Sequence, residues 1–374
     1  MKIKSVKRGT RWLLILGVMI KCCVIHASHH ESSSPKTVLL TGAAGFIGSN
    51  FLKYMFDKYP TYTFLVLDAL TYAGSLDNIP AYIHDSSRFK FFYGSVTNSR
   101  LVDLLMKQSH FVVHFAAESH VTRSICDSAI FFDTDVIGTR VLLESLVLHK
   151  NVERFIHIST SEVCGTAEII PMDEDHPIKP RSPYAAAKAG ADRMVYAYQC
   201  TYDIPTVIIR PFNNYGPNQH LEKVIPRFIR NALENEPLTI HGDGLQTRDW
   251  MHVEDTCRAL DMVLQHKNFD EIKHEVINIG SGKDISVLEV AQLVRGIFGL
   301  REEAIVFVPD RPGQVSRHIA SITKAQRLLG WEPKVTFEDG LQSVASWYAS
   351  HPRKRKESMS LVPILIGDDI VVLQ

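Results

Sequence analysis

The chain has no surplus of charge: 41 Lys and Arg balance 41 Asp and Glu, a formal net charge of zero over 374 residues. That balance favours neither nucleic acid nor an anionic surface as a partner, so an anionic substrate must be met by a few placed cations. Cysteine is scarce. Cys22, Cys23, Cys126, Cys164, Cys200 and Cys257 form no C-x-x-C pair, which argues against zinc and disulfide frameworks and leaves them as buried thiols. The 17 histidines include no H-E-x-x-H string, and no metal site is expected. There is no internal repeat, and the apolar run Trp12 to Ile20, cut off by Lys21, is short for a membrane span. With 45% hydrophobic and 22% charged residues, the chain can bury one large core or two lobes and is not disordered.

The ends differ from the middle. Lys2, Lys4, Lys7, Arg8 and Arg11 precede the apolar run, and a polar stretch from His29 to Pro35 follows, which is the layout of a secretory signal. Ala27-Ser28 makes a poor cleavage site. An ER-targeting segment, with membrane association through it, and an untargeted extension both fit. At the other end Pro352-Arg353-Lys354-Arg355-Lys356 reads as solvated charge rather than a nuclear-type signal, and Leu361 to Ile366 is too short to span a membrane.

From Thr37 short β-branched runs alternate with helical ones. Strands are predicted at Val38–Leu40, Phe64–Asp68, Phe89–Tyr93, Phe111–Phe115, Phe155–Ser159 and Thr206–Arg210. Nearly continuous apolar strands separated by helices imply a parallel sheet covered on both faces. The fold class is α/β, a Rossmann-type doubly wound parallel sheet with a smaller C-terminal substrate-binding lobe. The predicted divisions are an extension over 1–35, a dinucleotide-binding domain over 36–210, the lobe over 211–348 and a second extension over 349–374.

Gly42, Gly45 and Gly48 stand directly after the first strand and open a helix, where backbone N–H groups can approach a pyrophosphate. Asp68, twenty residues past Gly48 at the end of the second strand, would accept from a ribose 2'-OH and repel a 2'-phosphate, so the cofactor reads as NAD rather than NADP. Tyr184 and Lys188 are four apart on a predicted helix. The ammonium there can lower the phenol pKa and let the phenolate take a proton from a sugar hydroxyl.

Val66 to Gly74, Phe115 to Ser124, Asn213 to Pro217, Glu222 to Pro226, Gly242 to Trp250, Asn278-Ile279-Gly280 and Asp310 to Gly313 together resemble the dTDP-glucose 4,6-dehydratases, a branch of the extended short-chain dehydrogenases. The resemblance runs from about Thr37 to Tyr348 and excludes both extensions. It implies NAD contacts from Gly42, Gly45, Phe46, Ile47, Gly48, Asp68, Ala116, Ala117, Tyr184 and Lys188. It implies nucleotide-sugar contacts from Ser119, His120, Asn214, Lys223, Val224, Arg248, Asn278 and Arg311, with Lys223, Arg248 and Arg311 against the diphosphate. A homodimer through the helix around Phe131 to His149 and the one carrying Tyr184 is implied as well, and a cytoplasmic location unless the N-terminal segment is a functional signal.

The implied cycle begins with Tyr184, helped by Lys188 and Thr160, taking the 4-OH proton while hydride passes from C4 to NAD. Glu162 then removes the acidified C5 proton, water leaves from C6, and hydride returns to C6. One departure bears on this. Ser161 stands where the family's dehydratases carry the Asp that protonates the departing oxygen, and a hydroxyl is a far weaker acid. Elimination is therefore expected to be slow. Thr160-Ser161-Glu162 also resembles the triplet of UDP-glucuronate decarboxylases and of UDP-N-acetylglucosamine 4,6-dehydratases. Asp135 for Asn, Ser95 for Asp, Cys164 for Tyr, and Val315, Ser316 and His318 in the last string are further departures, which keep a non-catalytic NAD- and sugar-nucleotide-binding protein as the alternative of another class.

Overall fold

The computed structural model describes residues 34–310, 313–355, 363–366 and 369–372. The N-terminal basic and apolar segment lies outside the described residues. Among the described ones, no helix is long and apolar enough to cross a membrane.

Seven strands form one parallel sheet: β1 Thr37–Thr41, β2 Thr63–Asp68, β3 Phe89–Tyr93, β4 Phe111–His114, β5 Arg154–Ile158, β6 Thr206–Pro211 and, from the second half, a strand at Val276–Ile279. In space the first six lie in the order β3-β2-β1-β4-β5-β6, with Val276–Ile279 outside β6. The inner strands are buried on both sides because both sides are covered, while the edge strand β3 leaves Lys90 and Tyr93 exposed. Val38 and Leu40 of β1 face one core with Phe51, Leu52 and Met55 of the helix Phe46–Lys58 and Leu260 of the helix Val253–Leu264. Leu39 faces the other, with Leu105, Leu142 and Val195 from three helices, the last being Pro183–Tyr202. The six predicted strands are all present.

The second half is less regular, as expected, and does two jobs. β7 Asn213–Tyr215, β9 Thr247–His252 and Asp284–Ser286 make a three-stranded sheet, while β8 Leu238–His241 pairs in parallel with Ile305–Val308. Around them the helices Val224–Leu233, Val287–Phe298 and Phe337–Ser350 close a separate core. The same half also returns Val276–Ile279 and Val253–Leu264 to the large sheet, so chain order after residue 210 alternates between the two cores. The C-terminal basic stretch is not simply solvated. Lys354 is buried, and its Nζ donates to Asn78 Oδ1 at 2.6 Å, which lets the (CH2)4 stem pack while the charge finds an acceptor.

Beneath the C-terminal ends of β5 and β6 lies a buried ion pair. Arg210 of β6 donates to both carboxylate oxygens of Asp192, at 2.9 and 3.1 Å, and Ser159 Oγ donates to Asp192 Oδ2 at 2.7 Å. Burial alone would raise the Asp192 pKa, but the Arg210 guanidinium, then Arg193 and Ser159, hold it well below the usual carboxylate range. A depressed folded-state pKa gives stability that is present above the unfolded value and lost as pH falls. Removing Arg210 leaves the buried carboxylate with only the half-exposed Arg193 and the Ser159 hydroxyl against its charge. Arg210→Met is therefore expected to cost about 3–5 kcal/mol in denaturant unfolding, and Arg210→Met with Asp192→Leu to recover much of that loss; equal instability of single and double variants would show that the pair is not the cause.

Candidate active site

Strand order reverses between β1 and β4, and a crevice opens there at the C-terminal strand ends. A cleft of about 1030 Å3 runs from it to the smaller lobe. Its floor is the glycine turn. Gly42 has φ +71°, and a Cβ on it would sit 2.5 Å from Ala116 N, so the turns after β1 and β4 touch backbone to backbone. A Cβ on Gly48 would lie 2.7 Å from Gly42 O, whereas on Gly45 the nearest atom would be 3.2 Å away. Gly42 and Gly48 thus serve close packing, and Gly45 keeps the cleft side clear. The helix Phe46–Lys58 that starts here has no side-chain cap and no acidic residue in its first turn, leaving its N–H groups for an anion. Asp68 accepts from Ala44 N and Leu70 N, each at 2.8 Å. Burial raises its pKa against those two bonds. The carboxylate therefore shapes the turn and still lines the cleft.

Tyr184 and Lys188 occupy one face of the helix Pro183–Tyr202, whose start is fixed by Ser182 Oγ accepting from Ala185 N and by Pro183 in the first turn. Lys188 Nζ donates to Ile158 O at 2.7 Å. Burial lowers the Lys188 pKa, with Asp135 and Asp192 opposing. The expectation of an acidified phenol is not met in this state. Burial, then the Asp135 charge, pushes the Tyr184 pKa up, while a hydrogen bond to Thr160 lowers it and Glu162 raises it. The phenol is neutral at rest. Thr160 Oγ1 also accepts from Glu162 N at 3.2 Å, and Ser161 Oγ lies 3.3 Å from His318 Nδ1.

The titrating groups that act on Lys188 and are acted on by it are buried with it. Burial, helped by the Lys188 charge, takes His114 down to about 3 and His157 well below its ordinary value, so both stay neutral. Asp135 accepts from Glu118 N at 2.9 Å through Oδ1, while its buried Oδ2 has no partner. Burial raises its pKa to about 7 despite Lys188.

The predicted cofactor positions Gly42, Gly45, Phe46, Ile47, Gly48, Asp68, Ala116 and Ala117 all line the cleft, as do Ser119, His120, Asn214, Lys223, Val224 and Arg248 from the substrate set. Lys223 Nζ donates to Ser119 O at 2.8 Å, and Val224 begins a second helix with no side-chain cap and no acidic first turn. Asn278 is a correction. It is buried away from the cleft, taking a 2.8 Å bond on its N–H to Glu174 Oε1 and donating its amide to Met172 O at 3.1 Å, because the strand that carries it is the last of the large sheet. Arg311 lies outside the described residues. Around His120, residues not singled out from the sequence form a cluster at the wall: Glu222 Oε2 lies 3.3 Å from Arg123 Nε and 3.7 Å from each of His120 and His220, and Arg123 stacks 4.3 Å over Tyr72. Tyr72, Arg123 and Glu222 lie in strings that carry the family resemblance and His220 in none, and no local spacing marks these residues for one cluster. Among the described residues no group of three or more His, Cys, Asp or Glu is placed to hold a metal ion.

Residues 39–344 match the family model described as GDP-mannose 4,6 dehydratase. The chain is 46% identical over 311 residues to the low-salt glycan biosynthesis protein Agl12 of Haloferax volcanii, covering 83% of this chain and 98% of that one. It is 40% identical to the dTDP-glucose 4,6-dehydratase of Streptomyces niveus, covering 83% and 92%. Among solved structures, the dTDP-glucose 4,6-dehydratase of Streptomyces venezuelae with NAD and TYD bound is similar, with a TM-score of 0.81 and 38% identity over 85% of this chain and 98% of that one.

The two kinds of glycine predict different failures. Gly42→Ala is expected to lower the melting temperature strongly, since φ and the Ala116 backbone both forbid a Cβ, whereas Gly45→Ala, whose Cβ would press only on Gly42 O at 3.2 Å, should lower it less. Both should weaken dinucleotide binding in a fluorescence titration. Parental affinity in Gly45→Ala would remove this turn from the site.

Proposed function

The chain belongs to the GDP-mannose 4,6 dehydratase family, and we propose that it is an NAD-dependent 4,6-dehydratase of a nucleoside-diphosphate hexose, dTDP- or UDP-glucose, yielding the 4-keto-6-deoxy sugar. The observation that carries this reading is a single cleft wall in which Tyr184, Lys188 and Thr160 stand beside Glu162, continuous with the turn at Gly42 to Gly48. An alcohol oxidation needs the first three, and abstraction of an acidified C–H needs the carboxylate.

NAD fits the residues present: the open face of Gly45, the uncapped helix start and the Asp68 carboxylate are the groups that hold it. When bound it supplies a hydride acceptor for C4, a donor for C6 and a positive ring charge that favours the phenolate. Tyr184 Oη takes the 4-OH proton, held in place by the Thr160 hydroxyl. Lys188, pinned to Ile158 O, adds positive charge in a medium that screens it little. The 4-keto group then acidifies C5–H, and Glu162 takes that proton. Lys223, Arg248 and the N-terminus at Val224 face the diphosphate.

Incubation with UDP-, dTDP- and CDP-hexoses is expected to give a 4-keto product from at least one, and Tyr184→Phe to slow its formation by roughly 10²–10⁴-fold. Carbon dioxide release from UDP-glucuronate without any 4-keto-6-deoxy product would overturn the dehydratase reading in favour of decarboxylation. A second copy of the chain is proposed to pack where Phe132, Ile137, Leu148, Tyr196 and Tyr202 leave apolar surface exposed along the two predicted helices. Sedimentation should find a dimer at micromolar concentration and a monomer on Leu148→Lys with Tyr196→Lys. A monomeric parent would refute it.

A further inference from the structure

The cleft wall beside Glu162 holds a pair of side chains that sugar oxidation does not use. Ser161, 3% exposed, lines the cleft immediately before Glu162. Its Oγ lies 3.3 Å from Nδ1 of His318, which has no exposed surface and does not itself line the cleft. His318 sits on a segment clamped on both sides, by bridges of Arg317 to Thr247 and of Ala320 to Met172, and its ring stands edge-on to Phe212 at 6.0 Å. The imidazole thus reaches the cleft through Ser161 Oγ.

The second ring nitrogen fixes the tautomer. Nε2 lies 2.7 Å from the Gly165 carbonyl oxygen. A carbonyl only accepts, so Nε2 carries a hydrogen in both charge states, and Nδ1 is the nitrogen that gains or loses a proton. With Nδ1 bare, Ser161 donates its hydrogen backward into the ring and shows the cleft only lone pairs. With Nδ1 protonated, the ring donates and the Ser161 hydrogen is released toward the cleft. One proton on His318 reverses the serine hydroxyl.

On the dehydratase reading, we propose that Ser161 and His318 form the proton relay for the departing C6 hydroxyl, with Ser161 Oγ as the catalytic donor and His318 as the positioning residue that recharges it. The C6–O bond breaks with its electron pair on oxygen, which takes the Ser161 proton and leaves as water. The Nδ1 proton passes to Ser161 Oγ in the same event, so no serine alkoxide persists and the ring is left neutral. The C5 proton has gone to Glu162. Two protons are taken, from the 4-OH and C5, and two are given, to the departing oxygen and back to C5, so the turnover has no net proton demand.

Burial is the largest influence on His318 and disfavours its charged form; Arg248 and His176 act the same way, while Glu162 and the Gly165 carbonyl favour it. Its pKa lies below the ordinary value of about 6.5. The donor form is therefore a minority at neutral pH and grows as pH falls.

Single turnovers of the holoenzyme with the hexose nucleotide found above separate the steps, because nicotinamide absorbance reports C4 oxidation and the keto-deoxy product reports elimination. The parent's elimination is expected to fall about tenfold per pH unit above the His318 pKa, with reduced cofactor building up at high pH. His318→Gln, which keeps a donor for Gly165, and the milder Ser161→Ala should oxidise C4 normally, eliminate slowly by a factor on the order of 10² and lose the pH slope. The double variant should be no slower than either single one, and Ser161→Asp should eliminate quickly whether or not His318 is present. Imidazole nitrogen NMR should show the Nε2–H tautomer of His318. A pH-independent elimination, a loss under about threefold in His318→Gln, or the Nδ1–H tautomer would overturn the relay while leaving C4 oxidation intact. Failure of every hexose nucleotide to reduce the nicotinamide would instead overturn the dehydratase reading, and the relay with it.

Discussion

The pair between Asp192 and Arg210 is the constraint on which the reacting groups depend. Asp192 lies one turn past Lys188 on the helix that also carries Tyr184, Arg210 lies in β6, and Ser159, which donates to the same carboxylate, directly precedes Thr160. One carboxylate therefore sets the distance between the helix of the phenol and ammonium and the strand end of Thr160, Ser161 and Glu162. A charge buried at this depth is tolerated because each oxygen is matched by a donor. Rigidity at this point has a chemical use, since proton transfer from a sugar hydroxyl depends on donor and acceptor being held at hydrogen-bond distance.

Above that pair one buried ammonium acts, together with burial, on the titrating groups around it. Lys188 holds His114 and His157 neutral together with burial, and it is the main influence opposing the upward drift of Asp135. Asp135 stands where the family resemblance predicts an Asn, which cannot ionise. With Oδ2 unpartnered and a pKa near 7, this carboxyl adds a proton-dependent charge beside the phenol that an amide would not. The neutral resting phenol of Tyr184 follows from the same surroundings, so the base form of the site belongs to the loaded cleft.

What was legible in the sequence is what local pattern records. Six strands, the glycine turn and the Tyr184–Lys188 spacing depend on residues close in sequence, Asp68 on its distance of about twenty residues from the glycine turn, and the fold places them as expected. What was not legible depends on distant segments meeting. Ser161 and His318 are 157 residues apart, Lys354 and Asn78 are 276 apart, and neither pairing leaves a periodic trace. Asn278 shows the converse error: a string that marks the family marks the last strand of the sheet here, so its side chain is occupied by packing the Met172 loop.

The cleft is a joint product of two cores that the chain visits alternately, and the ties between them are polar. Lys223 reaches Ser119 O, Arg123 reaches Glu222, Asn50 donates to Pro217 O at 2.9 Å and Asn218 to Asn78 O at 3.2 Å, all from side chains at the rim or under the glycine turn. The two amide bonds are worth about 0.5–1.5 kcal/mol net each and the two made by charged side chains about 1.5–3 kcal/mol, so the lobes are registered by a handful of polar contacts. Behind them Asp249 fixes the return path, accepting from Ser281 N at 2.6 Å, Gly282 N at 3.0 Å and Ala320 N at 3.0 Å. Because Ala320 is two residues from His318, the carboxylate that anchors the smaller lobe to the large sheet also sets the ring behind Ser161. The chemistry at C6 is thereby tied to the closure of the two cores, whereas the Tyr184–Lys188 pair is anchored within the large sheet.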